Sequence, residues 1–250
     1  MNAETAAQDT CRVVISQSMY FPWVGMLEQL RLADKFVHYD DVQFSKGSFT
    51  NRVQIKTASG PRWLTLPLLG LKLGQRIDQV QINNGKDWRS QHRETLRQAY
   101  FKAPFRDDML RLVDEVFSEP TDNLSQVTRQ SMKALADYFG ITPSMRVYDA
   151  ADMDIPGHGS QRVLDVVRGL DGNIYITGHG ARNYLDHELF ESRGVEVRYM
   201  DYQRLPYPQM YGEFTPYVTA LDLVANCGKD GVEFIQSEAI NWREFLNESE

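Results

Sequence analysis

Two stretches of the chain repeat one order of apolar and polar positions. The first is the apolar run Val13-Val14-Ile15, a polar loop from Ser16 through Pro22-Trp23, a helical stretch from Val24 to Ala33, and a second apolar run, Phe36 to Tyr39, closed by Asp40-Asp41. The second is Ile174-Tyr175-Ile176, the loop Thr177-Gly178-His179-Gly180, a helix from about Ala181 to Ser192, and the run Val195 to Tyr199 followed by Asp201. Short apolar runs bounded by turn residues and alternating with helical periods predict strand, loop, helix, strand in each case. Ligands of open parallel sheets bind beyond the carboxyl ends of the strands, so these two loops are the expected place for chemistry.

Between the two units the pattern changes. Val53-Gln54-Ile55-Lys56 alternates apolar and polar, Ala58-Ser59-Gly60-Pro61 reads as a turn, and Trp63-Leu64-Thr65-Leu66-Pro67 as the returning strand. This predicts a hairpin within an insertion of about residues 42–75, with Arg52, Gln54 and Lys56 on the face opposite Val53 and Ile55. Ile77 to Ile82 reads as one more short strand. Residues 86–140 are helical: Trp88, His92, Leu96 and Tyr100 recur four apart on one stripe behind the capping residue Asp87. On that stripe His92 reads as a hydrogen-bonded core histidine. Helices follow over about Arg106 to Phe117 and from Asp122 or Asn123 to Phe139, where Gly140 stops the last. A further helix is expected from about Ser160 to Leu170, and short terminal helices over Tyr217 to Asn226 and Val232 to Phe245. Tyr202 to Pro216, rich in tyrosine and proline, is expected to wrap the surface.

Composition narrows the class. With 250 residues the chain can bury a substantial core, and residues 11–246 read as one α/β domain after a disordered tail over 1–10. The net charge of −7 argues against a general nucleic-acid surface. Two unpaired-looking cysteines, Cys11 and Cys227, suit a reducing cytoplasm. No apolar run reaches the ~20 residues of a membrane span, and no signal peptide is seen.

Ser16-Gln17-Ser18 with Pro22-Trp23-x-Gly25, Tyr39-Asp40-Asp41-x-Gln43, Asn51-Arg52 and Trp63-Leu64-Thr65-x-Pro67 resemble the WbqC-like family. So do Tyr100-x-Lys102-Ala103, Tyr175-x-x-Gly178, Asn183-Tyr184-Leu185 and Leu221-Asp222-Leu223 with Asn226, in order over nearly the whole chain. The resemblance implies a Rossmann-like α/β fold, a mostly parallel sheet flanked by helices with the hairpin and helical segment inserted. It also implies a place in bacterial surface-glycan (O-antigen) biosynthesis, with transfer of an acyl or aminoacyl group to a sugar. Many members carry histidine where Ser16 stands, and proline where Ser18 and His179 stand. The motif positions Gln43 and Tyr184 are carried over as substrate-binding.

The residues themselves offer a set of candidate groups. His179 is a candidate base because imidazole titrates near neutrality, against an idle loop histidine. Asp40 and Asp41 are candidates to deprotonate or orient a substrate, against a structural salt bridge with Arg52 or Lys56; adjacent residues of an extended segment point to opposite sides. Gly178 and Arg182 suggest an anion site at a helix start. Gln17 offers uncharged hydrogen bonds, and Trp23 a stacking face or simply a plug for the helix N-terminus. Lys46, Asn51, Arg52 and Lys56 suggest a clamp for pyrophosphate or carboxylate. Asp222 and Asn226, one helical turn apart, can reach a ligand together or brace backbone. No His/Cys cluster suggests a metal, and no cofactor is named by the sequence.

The leading expectation is therefore a transferase acting on a sugar nucleotide or a carrier-linked acyl donor. An adenylating Rossmann-like enzyme and a non-catalytic partner in glycan assembly are the alternatives.

Overall fold

The computed structural model describes residues 10–247, so the tail expected over 1–10 lies, except for Thr10, outside the described residues. The first unit forms as its pattern requires: β1 (Arg12–Ser16), α1 (Val24–Leu32) and β2 (Lys35–His38). The hairpin is β3 (Arg52–Thr57) against β4 (Gly60–Thr65), antiparallel. Two short strands follow, β5 (Leu68–Leu69) and β6 (Gln81–Ile82). The strand expected over Ile77 to Ile82 shrinks to its last two residues. Ile77–Gln79 is instead a 3-10 turn that buries Ile77.

The helical segment is α2 (Trp88–Ala99), α3 (Arg106–Ser118) and α4 (Leu124–Phe139). Asp87 accepts from the Ser90 amide and Asn123 from the Gln126 amide, satisfying donors that a helix start leaves unpaired. Gly140 takes the left-handed φ of +63° that ends α4. Then come β7 (Arg146–Asp149), α5 (Gly159–Gly169), β8 (Ile174–Thr177), α6 (His187–Glu191) and β9 (Glu196–Asp201). The chain ends with α7 (Ala220–Cys227), β10 (Glu238–Asn241) and α8 (Trp242–Asn247).

Two expectations are corrected here. The helix over Ala181 to Ser192 is a 3-10 turn, His179–Asn183, followed by the short α6. The helix over Val232 to Phe245 is a 3-10 turn, Gly228–Phe234, then β10 and α8. Pairing with β9 decides the second case: Ala239 faces Met200 and Ile240 faces Tyr199 across an antiparallel ladder. That partner lies about forty residues away, beyond the reach of local propensity.

The central sheet runs β10-β9-β8-β1-β2-β7, parallel throughout except for β10. Helices cover both faces, and the period of two assigns the side chains. Val14, Phe36, Ile174, Ile176 and Met200 join one core with α1, α2–α4 and α7. Val13, Ile15, Val37, Tyr175, Val197 and Tyr199 point the other way, into a core with α5, α6 and α8. His92, on the stripe of α2, is buried against the Tyr20 hydroxyl, 3.0 Å from its Nδ1. No described helix is long and apolar enough to cross a membrane.

Candidate functional site

The strand order determines where the sheet opens. β1 continues through α1 to β2 on one side, whereas its other neighbour β8 continues through α6 to β9. The loops leaving β1 and β8 therefore diverge, and a crevice opens between their carboxyl ends. A cavity of about 710 Å³ lies there. Ser16 and Gln17 line it from β1, and Thr177, Gly178, His179 and Gly180 line it from β8.

One wall is aromatic. Trp23 packs 4.9 Å from Tyr202 and 6.2 Å from Tyr217, ring centre to ring centre. The Pro22-Trp23-x-Gly25 spacing has a steric reason: a Cβ on Gly25 would lie 2.3 Å from the Trp23 ring, so only glycine lets the indole lie against α1. The loop is pinned by α7, whose first residues receive it. Thr219 Oγ1 donates to the Phe21 carbonyl at 2.7 Å, and the Ala220 amide donates to the Pro22 carbonyl at 2.7 Å. Phe21 itself is buried at a φ of +39°, a strained value for a residue with a side chain, held by these bonds and by its amide donating to Ser131 Oγ. Trp23 thus both packs against α1 and lines the cavity.

His179 is fixed by a hydrogen bond whose chemistry names the tautomer. Its Nε2 lies 2.6 Å from the Met200 carbonyl oxygen, which only accepts, so Nε2 carries a proton and the neutral ring keeps its lone pair on Nδ1. The ring is flanked by Tyr202 and Phe245 at 4.9 and 4.8 Å. Gly178 lets these groups close together, because a Cβ there would stand 3.1 Å from the Tyr202 hydroxyl. The cation of the cavity is Arg204, at a φ of +50°, with its guanidinium 5.6 Å from the Tyr217 ring centre. No Asp or Glu lines the cavity among the described residues, in a chain whose net charge is −7.

Of the residues singled out in the sequence, Gln17, Trp23, Gly178, His179 and Tyr184 meet in this cavity. The acidic doublet does not. Asp40 is fully buried, accepting from the Ser18 amide at 2.9 Å, the Ser18 hydroxyl at 2.7 Å and Arg129 Nε at 2.7 Å. Arg129 also binds Asp149, and the Ser18 hydroxyl lies 2.8 Å from His38 Nδ1, whose imidazole burial pushes down to about 4. Asp41 pairs with Arg162, and the two line a separate depression with Ile155 and Gly157. The partners are thus Arg129 and Arg162, not the Arg52 or Lys56 of the sequence expectation.

The basic stretch divides as well. Lys46 and Gln43 are exposed, and Asn51 is buried with its amide on the Leu66 carbonyl at 3.2 Å. Arg52 donates to the Gly47 carbonyl and lies over Trp63 at 4.2 Å. Lys56 is buried under the segment after Tyr202, donating to Gln209 Oε1 at 3.0 Å and to the Glu213 carbonyl. Asp222 lies in the same buried cluster, where burial pushes its carboxyl up to about 6, and Asn226 donates to its backbone carbonyl at 2.8 Å. Arg182 is exposed on the 3-10 turn and does not line the cavity. The turn spends its Ala181 amide on the Gly178 carbonyl. Burial also pushes the Cys227 thiol up to about 11. No described group of three or more His, Cys, Asp or Glu is arranged to hold a metal ion.

Sequence reasoning missed Gln29, Tyr202, Arg204 and Tyr217 as lining residues. Tyr202 and Arg204 sit in the tyrosine-rich segment read as a surface wrap, and Tyr217 follows directly after it; the aromatic content beside an arginine was the available signal.

Fold and site together define a mostly parallel α/β protein with a cavity at the carboxyl ends of its strands. The sequence profile of the WbqC-like protein family matches residues 17–234, and the chain belongs to that family. A similar protein from Mycobacterium tuberculosis (strain ATCC 25618 / H37Rv), named "Uncharacterized protein Rv1507c", is 30% identical over 228 residues, which cover 90% of this chain and 97% of that protein. No solved structure matches significantly.

Proposed function

We propose that this protein is a transferase that moves an acyl or aminoacyl group onto the amine of an amino-sugar held in the cavity between β1 and β8. The observation that carries the reading is His179, with Nε2–H on the Met200 carbonyl and a free Nδ1 lone pair, in an aromatic cavity that holds Arg204 and no carboxylate. A neutral amine attacks the acyl carbonyl, and the new N–C bond forms as the bond to the leaving group breaks. The amine must shed a proton on the way, and His179 Nδ1 takes it; the resulting imidazolium keeps Nε2–H on Met200 and returns the proton to the leaving group. Aromatic faces suit the C–H faces of a sugar ring, and Arg204 suits the phosphate of a sugar nucleotide or of a carrier-linked acyl donor. The strand order, reversing at β1 and β8, supports reading the sheet as Rossmann-like. Asp40 and Asp41, engaged with Arg129 and Arg162, are read as braces of the strand-end loops.

The test incubates the full chain with amino-sugar nucleotides and acyl thioesters, following mass gain of the sugar and release of free thiol. Both signals should appear together and both should be lost in His179→Asn. Turnover that requires ATP would favour the adenylating alternative. A folded protein with no product on any pair would favour the non-catalytic one.

A further inference from the structure

Many arginines of the structure are paired with carboxylates. Arg12 with Asp34, Arg129 with Asp40 and Asp149, Arg162 with Asp41 and Arg243 with Glu191 are examples. Arg204 and Arg52 have no carboxylate partner among the described residues. One of them lines the cavity and the other lies over Trp63, whose ring neighbours the cavity-lining Phe49, and unpaired cations so placed favour an anion.

Arg52 belongs to a surface that continues the cavity outwards. Phe49 lines the cavity and is 45% exposed, with its ring 5.8 Å from that of Trp63 on β4. Trp63 is 37% exposed, with the Arg52 guanidinium lying over its ring. The guanidinium is held in place, since it donates to the Gly47 carbonyl at 2.5 Å. Gly47 has a φ of +84°, and a Cβ there would come within 3.3 Å of Arg52 Nη2, so glycine is what lets the arginine lie flat. Two open aromatic rings and an oriented planar cation form one patch, joined to the cavity through Phe49.

We infer that this hairpin patch of Phe49, Trp63 and Arg52 is an outer subsite for the nucleobase and adjoining phosphate of a nucleoside diphosphate whose sugar occupies the cavity. The inference rests on the amino-sugar reading of the cavity and names the carrier as a nucleotide. A base has two flat π faces, and both aromatic rings and guanidinium planes accept it by stacking. Arg204 stands at the cavity wall to receive the diphosphate that joins the two parts. A lipid-linked sugar carries the same diphosphate but no ring to stack.

The test is calorimetric titration of the full chain with uridine-diphosphate-linked and guanosine-diphosphate-linked glucosamine, glucosamine 1-phosphate and glucosamine on farnesyl diphosphate. At least one nucleotide-linked sugar should bind about tenfold more tightly than glucosamine 1-phosphate. Trp63→Ala should erase that difference and leave glucosamine 1-phosphate binding unchanged, and Trp63→Phe should restore most of it. Equal binding of nucleotide-linked sugar to Trp63→Ala and to the parent overturns the inference. So does a preference for the farnesyl-linked sugar. If nucleoside diphosphates bind through Trp63 while glucosamine 1-phosphate does not bind, the outer subsite stands and the amino-sugar reading falls. No binding of any probe at millimolar concentration removes both.

Discussion

Replacing Asp222 by asparagine tests whether this acid is a buried structural group or a ligand contact. It is fully buried, and its Oδ2 closes no hydrogen bond, although Tyr100, Tyr207 and Lys56 surround it. Burial raises its pKa from 3.8 to about 6, an effect the tyrosine hydroxyls and the Lys56 ammonium only partly offset. The folded state therefore holds the proton more tightly than the unfolded chain. Stability contributed by this group is greatest while it is protonated, falls as pH rises above 3.8, and stops falling above about 6. The whole change is worth about 3 kcal/mol, of which about 1.4 kcal/mol falls between roughly pH 5 and 7.5.

His38 and His92 act in the opposite direction. Burial lowers both from 6.5 to about 4, so they remove stability as pH falls through that window. The measurement must therefore be a difference between the parent and Asp222→Asn, taken by urea unfolding at both pH values. Asparagine keeps an acceptor for Asn226 Nδ2 and removes the titration. Relative to the parent, the variant should gain about 1.4 kcal/mol on going from about pH 5 to 7.5. A difference independent of pH would show that the carboxyl faces water, and would return Asp222 to the ligand-contact reading.

Three other substitutions probe separate links. Gly25→Ala must push the Trp23 ring off α1, costing about 1–3 kcal/mol in urea unfolding and changing the tryptophan near-ultraviolet spectrum; an unaltered spectrum would contradict the packing. Arg129→Met strands Asp40 in the interior without its cation and should cost about 3–5 kcal/mol, whereas a loss under about 1 kcal/mol would show that Ser18 alone satisfies the carboxylate. His179→Gln should keep the parent's melting temperature while slowing turnover by about 10²–10⁴, and undiminished turnover would remove it as the base.

The sheet was legible because its inner strands are buried on both faces, so Val13-Val14-Ile15 and Ile174-Tyr175-Ile176 are apolar without interruption. The crevice followed from that reading, since Gln17, Trp23, Gly178 and His179 stand at the ends of those runs. Ladder partners distant in sequence were not legible. Glu238–Asn241 carries no strand pattern, and only β9 makes it one. The charged residues were hardest to place. Lys56 alternates with Val53 and Ile55 as an exposed residue would, yet the segment around Gln209 covers it. Asp40 is matched by Arg129, 89 residues further along the chain, a partner that no local pattern announces. Arg204 was hidden for the same reason: its segment has no periodicity, and only the folded chain brings it beside Trp23.

The most direct measurement of the central claim is a crystal structure of the protein soaked with a nucleoside-diphosphate-linked amino-sugar. The sugar should occupy the cavity between β1 and β8, with its amine at hydrogen-bond distance from His179 Nδ1. A sugar seated instead in the depression formed by Asp41 and Arg162, with the cavity holding only solvent, would contradict the account.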